Sequence, residues 1–352
     1  VNLDLNETQT LLRDTIRTYL TNEVPFDRIR EIEQTDDCDE ALWSAICRQG
    51  WIALPFGESV GGAAGSLTDI GLVVEEFARR AAIIPIAEVM ACSWLLEHHI
   101  DDAVSAPLVE GIIAGTVRPV PAESDDLELA DGSVTGSVDF IDFGAQATHH
   151  LIIARGDHEQ LIMVAADGAS VSTQPLTTIG RTPTCRARYE GAPAVVVGQA
   201  DAARRLRSIA RTLTAVQCVG SMQTAFDMTV AYAGFREQFG KAIGSFQAVK
   251  HHCANMAIRI EGTRFMTYEA LDGIADGRAS DAEIAMAKAA TARAVPEVLM
   301  LAHQVHGGNG VIEENDLYFF TLRGKERSLA WGTLDECLEI AAQDVDEPID
   351  WL

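Results

Sequence analysis

The chain has 352 residues, 47% of them apolar, and a formal charge of −25. That length can bury one large core or two to three smaller ones, and the composition is that of an ordinary globular protein. The charge would repel a polyphosphate backbone, which argues against a nucleic-acid partner, and an anionic small ligand needs a local basic site to override the field.

The opening stretch VNLDLNETQTLLRD has neither the basic nor the apolar region of a secretory signal. The longest apolar run, residues 81–96, is broken by Pro85 and Glu88 and falls short of the roughly 20 residues a membrane helix needs. A cytoplasmic protein without membrane contact is expected. Seven cysteines without a C-x-x-C pair fit buried thiols better than a disulfide frame or a zinc site.

The first segment reads as helical. Asn6 and Gln9 have the spacing of a capping box, and Leu12, Ile16 and Leu20 recur on one face. Residues 41–49 and 67–80 repeat that periodicity around the turn-rich LPFGESVGGAAGS. From about Arg118 the texture changes to short β-prone runs, SVTGSVDFI, HHLIIARG, EQLIMVAA and AVVVG, which predict a compact antiparallel unit ending near Gly198. Beyond Asp201 the pattern reverts to helix. Val249, Cys253, Met256 and Ile260 form a core stripe, Leu213, Val216, Gly220 and Ala231 suggest an earlier helix with close approaches, and Pro296 is expected to kink or restart an alanine-rich helix. The domains expected are 1–117 (helical), 118–200 (β) and 201–352 (helical bundle).

Three stretches stand out: FREQFG with its following FQ (residues 235–247), HQVHGGNG (303–310) and LAWGT (329–333). Each alone is ordinary. The glycine run lacks P-loop spacing, and no strand precedes it as a dinucleotide fingerprint requires. His303 and His306 have no third ligand beside them and read as packing or solvent-facing residues, while the pairs His149-His150 and His251-His252 diverge, so no metal site is expected.

Together, in this order, the stretches resemble the acyl-CoA dehydrogenase family. The resemblance covers nearly the whole chain, through ALWSAICRQGWIALPFGESVGG, VVEEFARR and VTGSVDFIDFGAQATHHLIIA as well as the three C-terminal stretches. It implies an α+β fold with an N-terminal α-helical domain, a central antiparallel β domain and a C-terminal four-helix bundle, assembled as a dimer of dimers. It also implies FAD lying between two subunits, with Arg236 on the pyrophosphate of the neighbouring subunit's flavin, a role suited to the paired donors of a guanidinium. By the same matching, Phe239, Phe246 and Gln247 line the adenosine end, and Gln304, Gly307 and Gly308 meet it by side-chain and backbone contact.

The family removes an α-proton from an acyl-CoA thioester and transfers a hydride from the β-carbon to flavin. Its carboxylate base stands either before the G-T of the C-terminal loop or before an arginine 25 residues upstream of the pyrophosphate arginine. Here those positions are Trp331 and Ala210, and neither accepts a proton. A threonine-glutamate-proline-glycine type loop is replaced by RPVPAESDDLELADGS, and the strand that should lie against the isoalloxazine reads Phe140, Ile141, Asp142, Phe143. An aspartate there would oppose the charge that builds on flavin reduction.

The chain therefore resembles most the base-lacking subunit of actinobacterial heteromeric (α2β2) acyl-CoA dehydrogenases acting on steroid side-chain CoA thioesters, such as those of cholesterol. The expectation is a non-catalytic subunit that completes a catalytic partner's FAD site in trans. Its own flavin site would be empty, acyl-CoA would be bound mainly by the partner, and an electron-transfer flavoprotein is the family's acceptor. Two alternatives stay open: a self-sufficient enzyme with a displaced base at Asp142, Glu261 or Glu314, and a flavin-free scaffold on the same fold.

Overall fold

The computed structural model describes residues 4–156 and 158–343. Six helices come first: α1 (Glu7–Glu23), α2 (Phe26–Glu33), α3 (Glu40–Arg48), α4 (Leu67–Arg79), α5 (Ile86–His99) and α6 (Asp102–Ile113). Seven strands follow: β1 (Pro119–Ser124), β2 (Leu127–Ala130), β3 (Ser133–Asp142), β4 (His149–Ala154), β5 (Gln160–Ala165), β6 (Val171–Leu176) and β7 (Thr184–Gln199). Then come α7 (Ala200–Phe235), a hairpin of β8 (Glu237–Gln238) and β9 (Lys241–Ala242), α8 (Gln247–Ala275), α9 (Asp281–His306), α10 (Leu317–Leu329) and α11 (Leu334–Gln343). The helix-strand-helix order is the one the sequence texture predicts.

The described residues form two compact units. One takes in Asp27–Val74 and Ala82–Ala210; the other takes in the residues up to Phe26, Glu75–Ala81 and the chain from Arg211 onward.

In the first unit the sheet order is β1-β4-β5-β7-β3-β2, with β6 also on β7. Every pairing is antiparallel except β1 with β4, so the expected all-antiparallel arrangement is corrected at that one pair. The chain leaves β1, makes the β2–β3 excursion and returns in the same direction, which makes the two strands parallel. The apolar run of residues 81–96 supplies α5, buried continuously from Ile86 to Leu96 and packed on β1. It is a core helix, and no helix among the described residues is long and apolar enough to cross a membrane.

β3 carries a bulge. Val138 pairs with Ala187 and Ile141 with Cys185, so Asp139 and Phe140 together oppose Arg186. The extra residue resets the side-chain alternation. Val134, Val138 and Ile141 are buried, while Phe140 takes a left-handed φ of 57° and is 71% exposed. Arg186 pins the bulge by bonding Asp139 at 2.7 Å.

The second unit opens with the predicted capping box: the Asn6 side chain accepts from the Gln9 amide at 2.8 Å, and Gln9 accepts from the Asn6 amide at 3.1 Å. α9 packs against α8, α10 and α11. Its small residues Ala285 and Ala289 let Cys337 of α11 approach closely. Gly220 does the same for α7, since a Cβ there would lie 2.6 Å from the Glu75 carbonyl oxygen. α9 runs unbroken through Pro296, contrary to the expected restart. The ring forfeits one backbone bond, and the buried Val295 and Val298 on either side hold the helix in place. The two buried carboxylates of α4 are paired: Glu75 accepts from Tyr268 at 2.8 Å and from Arg264 at 3.0 Å, and Glu76 accepts two bonds from Arg17.

Candidate cofactor-binding cleft

α7 ends at Phe235, and Arg236 turns the chain into the β8–β9 hairpin, its amide bonded to Tyr232 and its carbonyl accepting from Ile243 at 2.8 Å. The two tip residues, Phe239 and Gly240, have φ of 56° and 78°. Glycine suits that conformation and phenylalanine does not. Phe239 is also 93% exposed, so the hairpin holds a large apolar ring in water at a backbone cost. Phe246 meets it edge to face at 6.0 Å, and the Lys241 ammonium sits 4.4 Å over the Phe246 ring. Phe246 is also the N-cap of α8, whose first turn has no side-chain cap and no acidic residue. Such a helix start favours anions.

Arg236 lines a cleft of about 1080 Å³ in this unit, together with Tyr232, His306, Gly307 and Gly308. Its guanidinium is exposed and, among the described residues, makes no hydrogen bond or ion pair. Of the residues assigned to cofactor by resemblance, the cleft brings together Arg236, Gly307 and Gly308. Phe239 and Phe246 pair with each other beside it, and Gln247 and Gln304 are exposed outside its wall. Gly307 ends α9 with φ 59°, turning the chain into a short 3₁₀ segment, Gly307–Val311.

His306 is a packing histidine, one of the two readings the sequence left open, and it packs within the wall of the cleft. Its ring is stacked on Tyr232 at 4.5 Å with 14° between planes, it is 6% exposed, and among the described residues neither ring nitrogen has a hydrogen-bond partner. Burial, and then the neighbouring His303, push its pKa down.

The W-G-T loop keeps a built scaffold. Arg211, buried on α7, donates from Nε to the Trp331 carbonyl at 2.8 Å. Lys288, fully buried on α9, donates to the Arg327 and Ser328 carbonyls at 2.8 and 2.9 Å, closing the C-terminus of α10 just before the loop. Burial pushes the lysine's pKa down. Trp331 itself takes φ 57°. Thr333 and Glu336 then cap α11 through each other's amides and side chains. Ala210, the other position matched to a base, is buried on α7 in the unit that holds the sheet.

In that unit, the end of β1 carries acids held by arginines. Glu123 accepts from Arg155 at 2.6 Å and from Arg207 at 2.7 Å, and Arg207 also bonds Glu159. Asp142 accepts from the Thr184 hydroxyl at 2.9 Å. Near the start of β1, Asp37, Cys38 and Glu40 bring ligand atoms within 4.8 Å, but Arg118 engages Glu40 and burial pushes the Cys38 thiol up, away from the thiolate that ligates a metal.

Residues 6–116 match the family described as Acyl-CoA dehydrogenase, N-terminal domain, and residues 200–345 match Acyl-CoA dehydrogenase, C-terminal domain. The chain belongs to the acyl-CoA dehydrogenase family. Its fold is the family's: a helical N-terminal part, a central sheet and a helical C-terminal part. It is similar to the acyl-CoA dehydrogenase IpdE2 of Mycolicibacterium smegmatis, 28% identical over 92% of this chain and 95% of that one. Among solved structures it resembles the Tcur3481-Tcur3483 steroid ACAD, with TM-score 0.90 and 26% identity over 96% of this chain and 97% of that one. It also shares the fold of the ChsE4-ChsE5 complex from Mycobacterium tuberculosis, with TM-score 0.91 and 23% identity over 99% and 100%.

Sequence reasoning missed three residues of this family member. The Tyr232 stack, the burial of His306 and the burial of Lys288 are long-range consequences of helix packing. Only the placement of His306 at the end of α9, directly before two glycines, offered a local hint.

Proposed function

We propose that this chain is the non-catalytic subunit of a heteromeric (α2β2) FAD-dependent acyl-CoA dehydrogenase, acting on an acyl-CoA thioester of the steroid side-chain class. The observation that carries the reading is the W-G-T loop, whose anchors at Arg211 and Lys288 are intact while a tryptophan stands at its tip. A positioned acid-base group is typically worth about 10²–10⁴ in rate, so a subunit lacking it depends on a partner for chemistry. The similarity to the Tcur3481-Tcur3483 steroid ACAD supports both the two-chain assembly and the substrate class.

The residues present fit FAD in trans. A free guanidinium and an orphaned buried imidazole in one cleft suit an anionic, polar group such as a diphosphate. Arg236 holds the diphosphate of the partner's cofactor, with backbone at Gly307 and Gly308 in close approach, while Phe239, Phe246, Gln247 and Gln304 contact its adenosine end. When bound, FAD accepts the hydride from the substrate's β-carbon. This chain's residues orient and retain the cofactor, and the partner supplies the carboxylate that takes the α-proton and most of the acyl-CoA contacts. An electron-transfer flavoprotein is the matching acceptor.

The chain's own flavin site is read as lost. Where the family's flavin-binding loop would stand, the chain carries Glu123 and Asp125, acids engaged by Arg155 and Arg207 that offer a flavin no donor. Two of the displaced-base candidates are engaged elsewhere, Glu261 with Arg264 and Asp142 with Thr184, and the third, Glu314, lines the cleft assigned to the partner's cofactor. Co-expression with the catalytic partner and measurement of flavin per chain tests the proposal. About half an FAD per chain in the complex, and none on the isolated chain, is expected; full flavin and turnover by this chain alone would overturn it.

A further inference from the structure

Among the described residues two histidines are buried, and they are treated differently. His150, fully buried in the sheet, has Nδ1 2.7 Å from the Tyr189 hydroxyl and Nε2 2.9 Å from the Gly144 carbonyl oxygen. His306, in the cleft beside Arg236, has partners for neither nitrogen. Lys288, also fully buried, has two carbonyls. Folded proteins seldom leave a buried polar group unpaired, because it forfeits its hydration without return. Two such atoms on one ring that lines an open cleft indicate a group that arrives from outside the chain.

We propose that His306 is a hydrogen-bonding contact for the phosphate-bearing occupant of the Arg236 cleft and takes up a proton as that occupant binds. The inference rests on the reading of that occupant as the partner subunit's FAD. Tyr232 covers a face of the imidazole, and neither edge nitrogen is engaged by another group among the described residues. A phosphate oxygen only accepts, so it requires an N–H; a neutral imidazole offers one and an imidazolium two. The charged and titratable groups around it come from every element of the cleft: Tyr232 and Arg236 from α7 and its end, His303 from α9, and Glu314 and Asp316 from the segment before α10. Burial and His303 bias the ring toward its neutral form when no anion is present. A bound diphosphate reverses that balance, because an adjacent anion favours the charged form.

The sign of the linkage follows. With the free-state pKa held below 6.5 and the bound-state value raised by the anion, FAD binds more tightly as pH falls through that window and is lost more readily as pH rises through the bound-state value. The heteromer, co-purified and stripped of cofactor, is titrated with FAD between about pH 5.5 and 8.5, and affinity is read from flavin fluorescence. Wild type is expected to show the pH dependence. His306→Phe, which keeps the stacking on Tyr232, is expected to bind FAD about tenfold or more weakly at low pH with a flat profile. His306→Gln, a donor that does not titrate, is expected to recover part of the affinity and none of the pH dependence. If His306→Phe matches wild type in affinity and slope while Arg236→Ala loses FAD, the inference fails and the subunit reading stands. If both variants retain FAD as wild type does, both fail.

Discussion

The Arg211 guanidinium donates from Nε to the carbonyl oxygen of Trp331 at 2.8 Å, fixing the backbone of a loop whose tip carries no acid. The loop's geometry is therefore kept apart from its chemistry. If Trp331 is not part of the reaction, Trp331→Ala should leave turnover of the complex within about threefold of wild type. A drop of about 10²–10⁴, the range for losing a positioned acid-base group, would mean that the loop takes part. Steady-state turnover of the co-purified complex decides between them.

The same loop predicts a stability effect at Gly332. Its φ of 120° is one that L side chains rarely adopt, and a Cβ there would lie 2.9 Å from the buried Cys337 sulfur and 3.3 Å from Arg211 Nε. Gly332→Ala should destabilise the chain by about 1–3 kcal/mol. Pairing it with Cys337→Ala relieves the clash and leaves the backbone strain, so the double variant should unfold at a lower denaturant concentration than Cys337→Ala alone. Urea unfolding of the three variants checks this.

The architecture was legible because it rests on local periodicities. The Asn6 capping box, the Met256 and Ile260 stripe and the alternation of β3 up to Val138 each depend on residues a few positions apart. The bulge at Asp139 and Phe140 was not legible, because it is defined by what Arg186 does on another strand. The restart expected as one option at Pro296 does not occur for a similar reason: local chemistry opposes helix there, and packing around Val295 and Val298 prevails. Within the cleft, the glycine and arginine positions could be read from the motif. The orphaned His306 could not, since its burial depends on Tyr232, 74 positions away in the chain (306 minus 232).

Acid stability should depend on His150. Burial holds its pKa below the 6.5 of an exposed histidine, and both its nitrogens are bonded in the folded chain. As pH falls through about 6.5 the unfolded chain takes a proton that the folded chain refuses, so stability is lost from there down to the folded pKa, by up to about 1.4 kcal/mol per pH unit. Above that window the group contributes no pH dependence. His99, His149, His303 and His306 are shifted the same way, so the measurement is a difference. The denaturant stability of wild type minus that of His150→Gln should fall between about pH 6.5 and 5 and stay level between about pH 7 and 8. A difference independent of pH would show that His150 titrates alike in both states.

Arg236 tests whose cofactor the cleft serves. Its guanidinium is exposed and bonds nothing else among the described residues, so Arg236→Ala removes no internal contact and should leave the unfolding midpoint within about 0.5 kcal/mol of wild type. Hydrogen bonds to charged groups are worth about 1.5–3 kcal/mol, so the complex should hold FAD roughly 10–100-fold more weakly. Because the cleft faces the partner's cofactor in the proposed assembly, the loss should appear in a complex whose catalytic subunit is wild type throughout. Arg236→Lys should restore only part of the affinity, since a point charge replaces a planar fork that donates two parallel bonds. Flavin content after gel filtration, alongside circular dichroism of the isolated chain, separates loss of cofactor from loss of fold. Full retention of flavin by Arg236→Ala would mean that the cleft serves something other than FAD.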